Sequence, residues 1–180
     1  MKTLMLLPEG FSEIEVFTLW SAMKKAGIDI TAVSLSSSIV SGSEKIKAMS
    51  DKKISEIDHN AYDLLILPGG PGHKVLLHSS SVRSIAKSFN NRNKIIAASG
   101  ESSVVLAQLG IIDDKVATVF PGYEKYIPKP REAKIVVAKN VITSRGPATA
   151  IDLAIKLVEI GAGKSAAAKV RRSMGVDTNA

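Results

Sequence analysis

The apolar run Ile95-Ile96-Ala97-Ala98 ends in Ser99, and Gly100 and Glu101 follow it. A serine between the end of a strand and the start of a helix lies beside backbone amides that have no partner of their own. It can act there as a nucleophile, or the amides can hold an anion with no catalysis. A serine hydroxyl titrates too high to attack unaided and needs a neighbouring general base. The histidines are His59, His73 and His78. His73 follows the turn Pro68-Gly69-Gly70-Pro71-Gly72 and reads as an exposed loop histidine. Glu15 is a poor base if it is buried, because burial favours the neutral acid. The Gly-x-Ser-x-Gly pattern of esterase elbows is not met around Ser99. Ser12-x-x-Glu15 also fits a helix capping box, in which the carboxylate turns back to the Ser12 amide. Pro68 to Gly72 lacks the spacing and the lysine-serine ending of a phosphate loop and reads as a turn of close backbone approach.

These residues need a scaffold, and the pattern along the chain supplies one. Strand and helix signals alternate, the signature of a mostly parallel sheet with helices on both faces. Strands are expected at 3–7, 29–34, 63–67, 94–98, 116–120, 134–138 and 141–143. A short hairpin is expected within 36–51 and a minor element at 54–58. Helices are expected at 13–26, 81–89, from about Ser102 to Gly110, at 148–160, and briefly after Lys164. Val16, Leu19, Trp20 and Met23 share one face of the first helix. Asp152 and Lys156 stand four apart, as an ion pair on the wet face of the last long helix would. In open α/β sheets ligands bind at the carboxyl ends of strands, and Glu9–Glu15, Pro68–Gly72 and Ser99–Ser103 lie at three such ends.

Composition narrows the function. With 180 residues, 45% hydrophobic and 23% charged, the chain reads as one globular domain, 1–180. Only 4% of residues are aromatic, which argues against base-stacking nucleic-acid modules. The net charge of +7 is spread along the chain; its densest stretch, Lys164 to Arg172, reads as a solvated helix face. There is no cysteine, which excludes disulfides, thiolate metal sites and cysteine catalysis. No cluster has metal-ligand spacing, and no cofactor motif is present. The apolar run at the N-terminus is too short for a signal peptide, and none approaches membrane-spanning length. A cytoplasmic protein is the expectation.

Five blocks resemble the ThiJ/PfpI superfamily, also written DJ-one. They are Gly10-Phe11-Ser12-Glu13-Ile14-Glu15, Leu67-Pro68-Gly69-Gly70, Ile95-Ile96-Ala97-Ala98-Ser99, Phe120-Pro121-Gly122-Tyr123-Glu124 and Thr143-Ser144-Arg145-Gly146-Pro147-Ala148-Thr149. Their order matches across nearly the whole chain. The resemblance implies a flavodoxin-like, class I glutamine amidotransferase-like sandwich and a homodimer. It implies a nucleophilic cysteine at a strand-to-helix elbow beside a glutamate. Carried over position by position, Glu15 falls on that glutamate and Ser99 on the cysteine. Gly70 and Gly100 fall where amides would cradle an oxyanion. Phe120, Gly69 and Glu101 fall in the pocket, with Phe120 where other members carry histidine or tyrosine.

The superfamily includes glyoxalase III, protein deglycases, redox-responsive chaperones and peptidases. A thiol at a helix N-terminus is partly ionised at neutral pH and a serine is not, so both nucleophilic power and thiol oxidation are lost with the cysteine. The expectation is a non-enzymatic or feebly active member: a stress-response or chaperone-like protein, or a binder of small carbonyl or anionic ligands. Two alternatives stay open. One is a glyoxalase or deglycase whose cysteine is replaced by Ser99, natural or engineered. The other is a serine hydrolase with the Gly70 and Gly100 amides as oxyanion donors.

Overall fold

The computed structural model describes residues 1–176. In chain order the elements are β1 (Lys2–Leu7), α1 (Glu13–Lys25), β2 (Asp29–Ser34), β3 (Ile39–Ser41), β4 (Lys47–Met49), β5 (Lys52–Lys53), β6 (Leu64–Leu67), α2 (His73–His78), α3 (Ser80–Asn91), β7 (Ile95–Ser99), α4 (Ser103–Gln108), β8 (Ile135–Ala138), β9 (Val141–Ser144) and α5 (Ala150–Ser173). Seven strands form one sheet in the order β5-β2-β1-β6-β7-β9-β8. All pairs in it are parallel except β8 with β9. β3 and β4 form a separate antiparallel hairpin. This is the doubly wound, flavodoxin-like α/β fold that the alternating pattern predicts.

The central strands read as nearly continuous apolar runs because both faces of the sheet are covered. Side chains alternate between two cores, as the strand period of two requires. Leu4, Leu6, Leu65, Leu67, Ile96 and Ala98 face α2, α3 and α4. Met5, Leu7, Leu64, Ile66 and Ala97 face α1 and α5. By the same alternation Ser99 points to the side of α1, and its register opposite Ser144 of β9 makes it the last paired residue of β7.

Several expectations change on the structure. The run 116–120 is not a strand: only Ala117 pairs, with Pro130. The facing segment holds Pro128 and Pro130, which have no N–H to extend a ladder. β7 ends one residue later than predicted. Asp152 and Lys156 do not pair; Asp152 meets Lys134 at 3.6 Å, and Lys156 meets Glu159 at 3.1 Å. The two last helices run as one element broken at Gly163, whose backbone (φ 86°, ψ 168°) is not helical.

Candidate active site

The first helix delivers the acid. Ser12 occupies the N-cap, but its side chain makes no capping bond. Glu15 does not turn back to the Ser12 amide, so the capping-box reading fails. Its side chain is fully buried instead, and Oε2 accepts the Gly69 N–H at 2.5 Å. Burial pushes its pKa from 4.5 up to about 7; the bond from Gly69 and the Ser99 hydroxyl work against the shift, and the Glu101 carboxylate adds to it. Ser99 stands near enough to be felt, but no well-aligned hydrogen bond joins the two. Ser99 Oγ and Glu15 Oε1 are both buried without a partner among the described residues.

The elbow follows from how β7 ends. Ser99 still has extended backbone (φ −114°, ψ 145°), and it is 1% exposed. The chain reverses at the next residue, Gly100, with φ +53°. A short 3-10 turn over Gly100–Ser102 then leads into α4. Ser102 anchors that turn, donating from Oγ to the Pro68 carbonyl at 2.6 Å. A Cβ added to Gly100 would stand 3.3 Å from Glu15 Oε1.

The diglycine turn supplies the third wall. Gly69 tolerates no side chain: a Cβ there would meet Glu15 Oε2 at 2.6 Å and the Ser99 carbonyl at 2.9 Å. The Gly70 N–H is not free to meet a ligand. It donates to Glu101 Oε2 at 2.9 Å, so a carboxylate of the chain itself holds that amide. Phe120 borders the group beside Gly146. A Cβ on Gly146 would lie 2.9 Å from Phe120 Cδ2 and 3.9 Å from Glu15 Oε1.

Glu15, Gly69, Gly70, Ser99, Gly100, Glu101 and Phe120 therefore converge, from the ends of α1, β6 and β7 and the loop after α4. Gly146 completes the group and was missed as a site residue, since it reads from sequence as the turn into the last helix. His73 was misjudged. It lies buried in α2, with Nδ1 2.9 Å from the Gly70 carbonyl and its ring edge-on to Tyr123. Neither His59 nor His78 joins the group. Among the described residues no cluster of three or more His, Asp or Glu side chains is close enough to hold a metal ion, and no helix is long and apolar enough to cross a membrane.

The family model described as DJ-1/PfpI matches residues 1–160, which carry every wall of this site. The chain belongs to the DJ-1/PfpI family. Within the family it is similar to protein dj-1beta of Drosophila melanogaster, 29% identical over 98% of this chain and 97% of that one. The crystal structure of Drosophila DJ-1beta superimposes with a TM-score of 0.94 over 98% of this chain and all of that chain, at 28% identity. Protein DJ-1 homolog B of Arabidopsis thaliana is 30% identical over 85% of this chain, which spans 36% of that longer protein. The glutathione-independent glyoxalase DJR-1.2 of Caenorhabditis elegans is 26% identical over 87% of this chain and 86% of that one.

Proposed function

We propose that this chain is a DJ-1/PfpI protein without the covalent chemistry of the enzymes in its family. The observation that carries the reading is the elbow: its apex is Gly100, which has no side chain. A nucleophile on a strand-to-helix elbow must sit at the strained turn, where its reactive atom is presented. Gly100 has that backbone, and a Cβ there would face Glu15. Ser99 lacks that backbone, although its hydroxyl lies close to Glu15. It is in-strand and buried, and the Glu15 carboxyl beside it is raised to about 7. Position 100, rather than 99, is then the vacant nucleophile position. The serine-hydrolase reading loses support as well, since one oxyanion amide is held by Glu101.

The chain has no cysteine of its own, so each single cysteine variant carries one thiol. Gly100→Cys is expected to react readily with a thiol reagent in the folded protein. Ser99→Cys is expected to react at least tenfold more slowly. Wild type is expected to consume methylglyoxal no faster than buffer. Consumption abolished by Ser99→Ala would overturn the reading, and so would a faster thiol at 99 than at 100.

What remains without a covalent step is binding. Ile14 and Phe17 on α1, and Ile39, Ile46 and Met49 on the hairpin that docks at its start, are large apolar side chains between 38% and 74% exposed. Exposed apolar surface gathered in this way marks an interaction site. We assign it to a second copy of this chain, in a homodimer, and a chaperone-like role would use the same face in the monomer.

A further inference from the structure

A second concave site lies on the other side of the Gly70 turn, and the reading of the elbow does not use it. α2, α4 and the loop after Phe120 border an open cleft of about 480 Å³ whose lining includes His73, Lys74, Leu77, Tyr123, Lys125 and Tyr126. That is the size range of small-ligand sites. Three features define its chemistry.

The first is aromatic surface. The chain has three tyrosines, and two of them meet here with ring centroids 5.9 Å apart. Tyr123 is held in place by His73 at 5.7 Å and Phe120 at 6.4 Å. Tyr126 remains 48% exposed, an open ring at the mouth. The second is charge. Lys74 and Lys125 both line the cleft, and Lys125 Nζ sits 5.1 Å from the centre of the Tyr126 ring. No carboxylate is among the lining residues described. The nearest acid in the loop, Glu124, is turned to the Gly122 N–H at 2.8 Å. The third is a fixed polar group. The Gly70 carbonyl can only accept, so the His73 ring donates from Nδ1, and this bond fixes the ring where it lines the cleft.

An aromatic shelf flanked by uncompensated lysines matches a planar ring that carries negative charge. We propose that this cleft binds small aromatic anions, molecules with one ring and a carboxylate or phosphate. The ring stacks on the exposed Tyr126, whose plane is tilted 50° from that of Tyr123, with the Tyr123 ring at its edge, and the anion meets Lys74 and Lys125. The site is independent of Glu15 and Gly100.

Titration of the 15N-labelled protein with benzoate and with phenyl phosphate tests this. Both are expected to shift the amides of residues 73–78 and 122–126 along saturable curves. Acetate lacks the ring and benzyl alcohol lacks the charge, and each is expected to bind at least tenfold more weakly. The double variant Lys74→Ala/Lys125→Ala and the single variant Tyr126→Ala should each weaken benzoate at least fivefold while the remaining spectrum is unchanged. Absent shifts, shifts centred elsewhere, equal binding of either control, or unaltered affinity in both variants would overturn the proposal. None of these outcomes bears on the reactivity of a thiol at 99 or 100.

Discussion

Glu15 is a buried acid whose charge the fold discourages. Its folded pKa of about 7 lies above the ordinary 4.5. The native state therefore keeps a proton over a range where the unfolded chain has lost it. Stability from this group is full below about pH 4.5, falls as pH rises towards 7, and is level above that. A difference of this size corresponds to about 3 kcal/mol. Glu15→Gln keeps an acceptor for Gly69 and cannot ionise. Its stability relative to wild type should rise by up to about 3 kcal/mol between pH 5 and pH 8 in urea melts; parallel pH curves would place Glu15 in the ordinary range. The residue types of this site were legible in the sequence, but the position of the elbow was not. Ser99 and Gly100 are adjacent, and only the register of β7 on β9 shows that pairing runs through Ser99 and that the turn falls on the glycine. The Ser12-x-x-Glu15 spacing was ambiguous for a similar reason. Spacing cannot tell a carboxylate turned back to its own helix from one drawn under it by the Gly69 amide.

Among the elements, the β3–β4 hairpin packs Val40 and Ala48 into the α1 side of the core, and Glu13 ties its turn to the start of α1. Glu13, 6% exposed, accepts from Ser43 Oγ at 2.8 Å and from the Glu44 N–H at 2.7 Å. Gly42 lets the hairpin come this close, since a Cβ there would fall on the Glu13 carboxylate. Glu13→Ala leaves these donors unpaired and should cost about 1–3 kcal/mol. Amide exchange should accelerate first in residues 43–49; uniform acceleration would argue against a local anchor. The elements best read from sequence were those with a full period to show, such as α1 and the central strands. The six-residue α2 was missed because its pattern is too short to separate from the glycine turn before it. The run Val116 to Phe120 misled because β propensity says nothing about whether a partner strand can donate.

At the scale of the molecule, the parallel sheet gathers the ends of β6, β7 and β9 at one edge and lays α1 across them. The alternation of strand and helix patterns made this architecture legible before any residue role. The apolar face of α1 and the hairpin adds an assembly prediction. Ile14→Lys combined with Met49→Lys should convert a dimer to a monomer in sedimentation equilibrium, with unaltered circular dichroism; identical masses for variant and wild type would remove the interface from this face. The interruption at Gly163 bears on how the whole unravels. Downstream of it Ala167 and Val170 still seal the α1 side of the core, while the backbone at Gly163 itself leaves helical geometry. With the helix broken there, residues 164–173 are expected to open as a flap ahead of the sheet, their amides losing protection at denaturant concentrations where β1 and β6 remain closed.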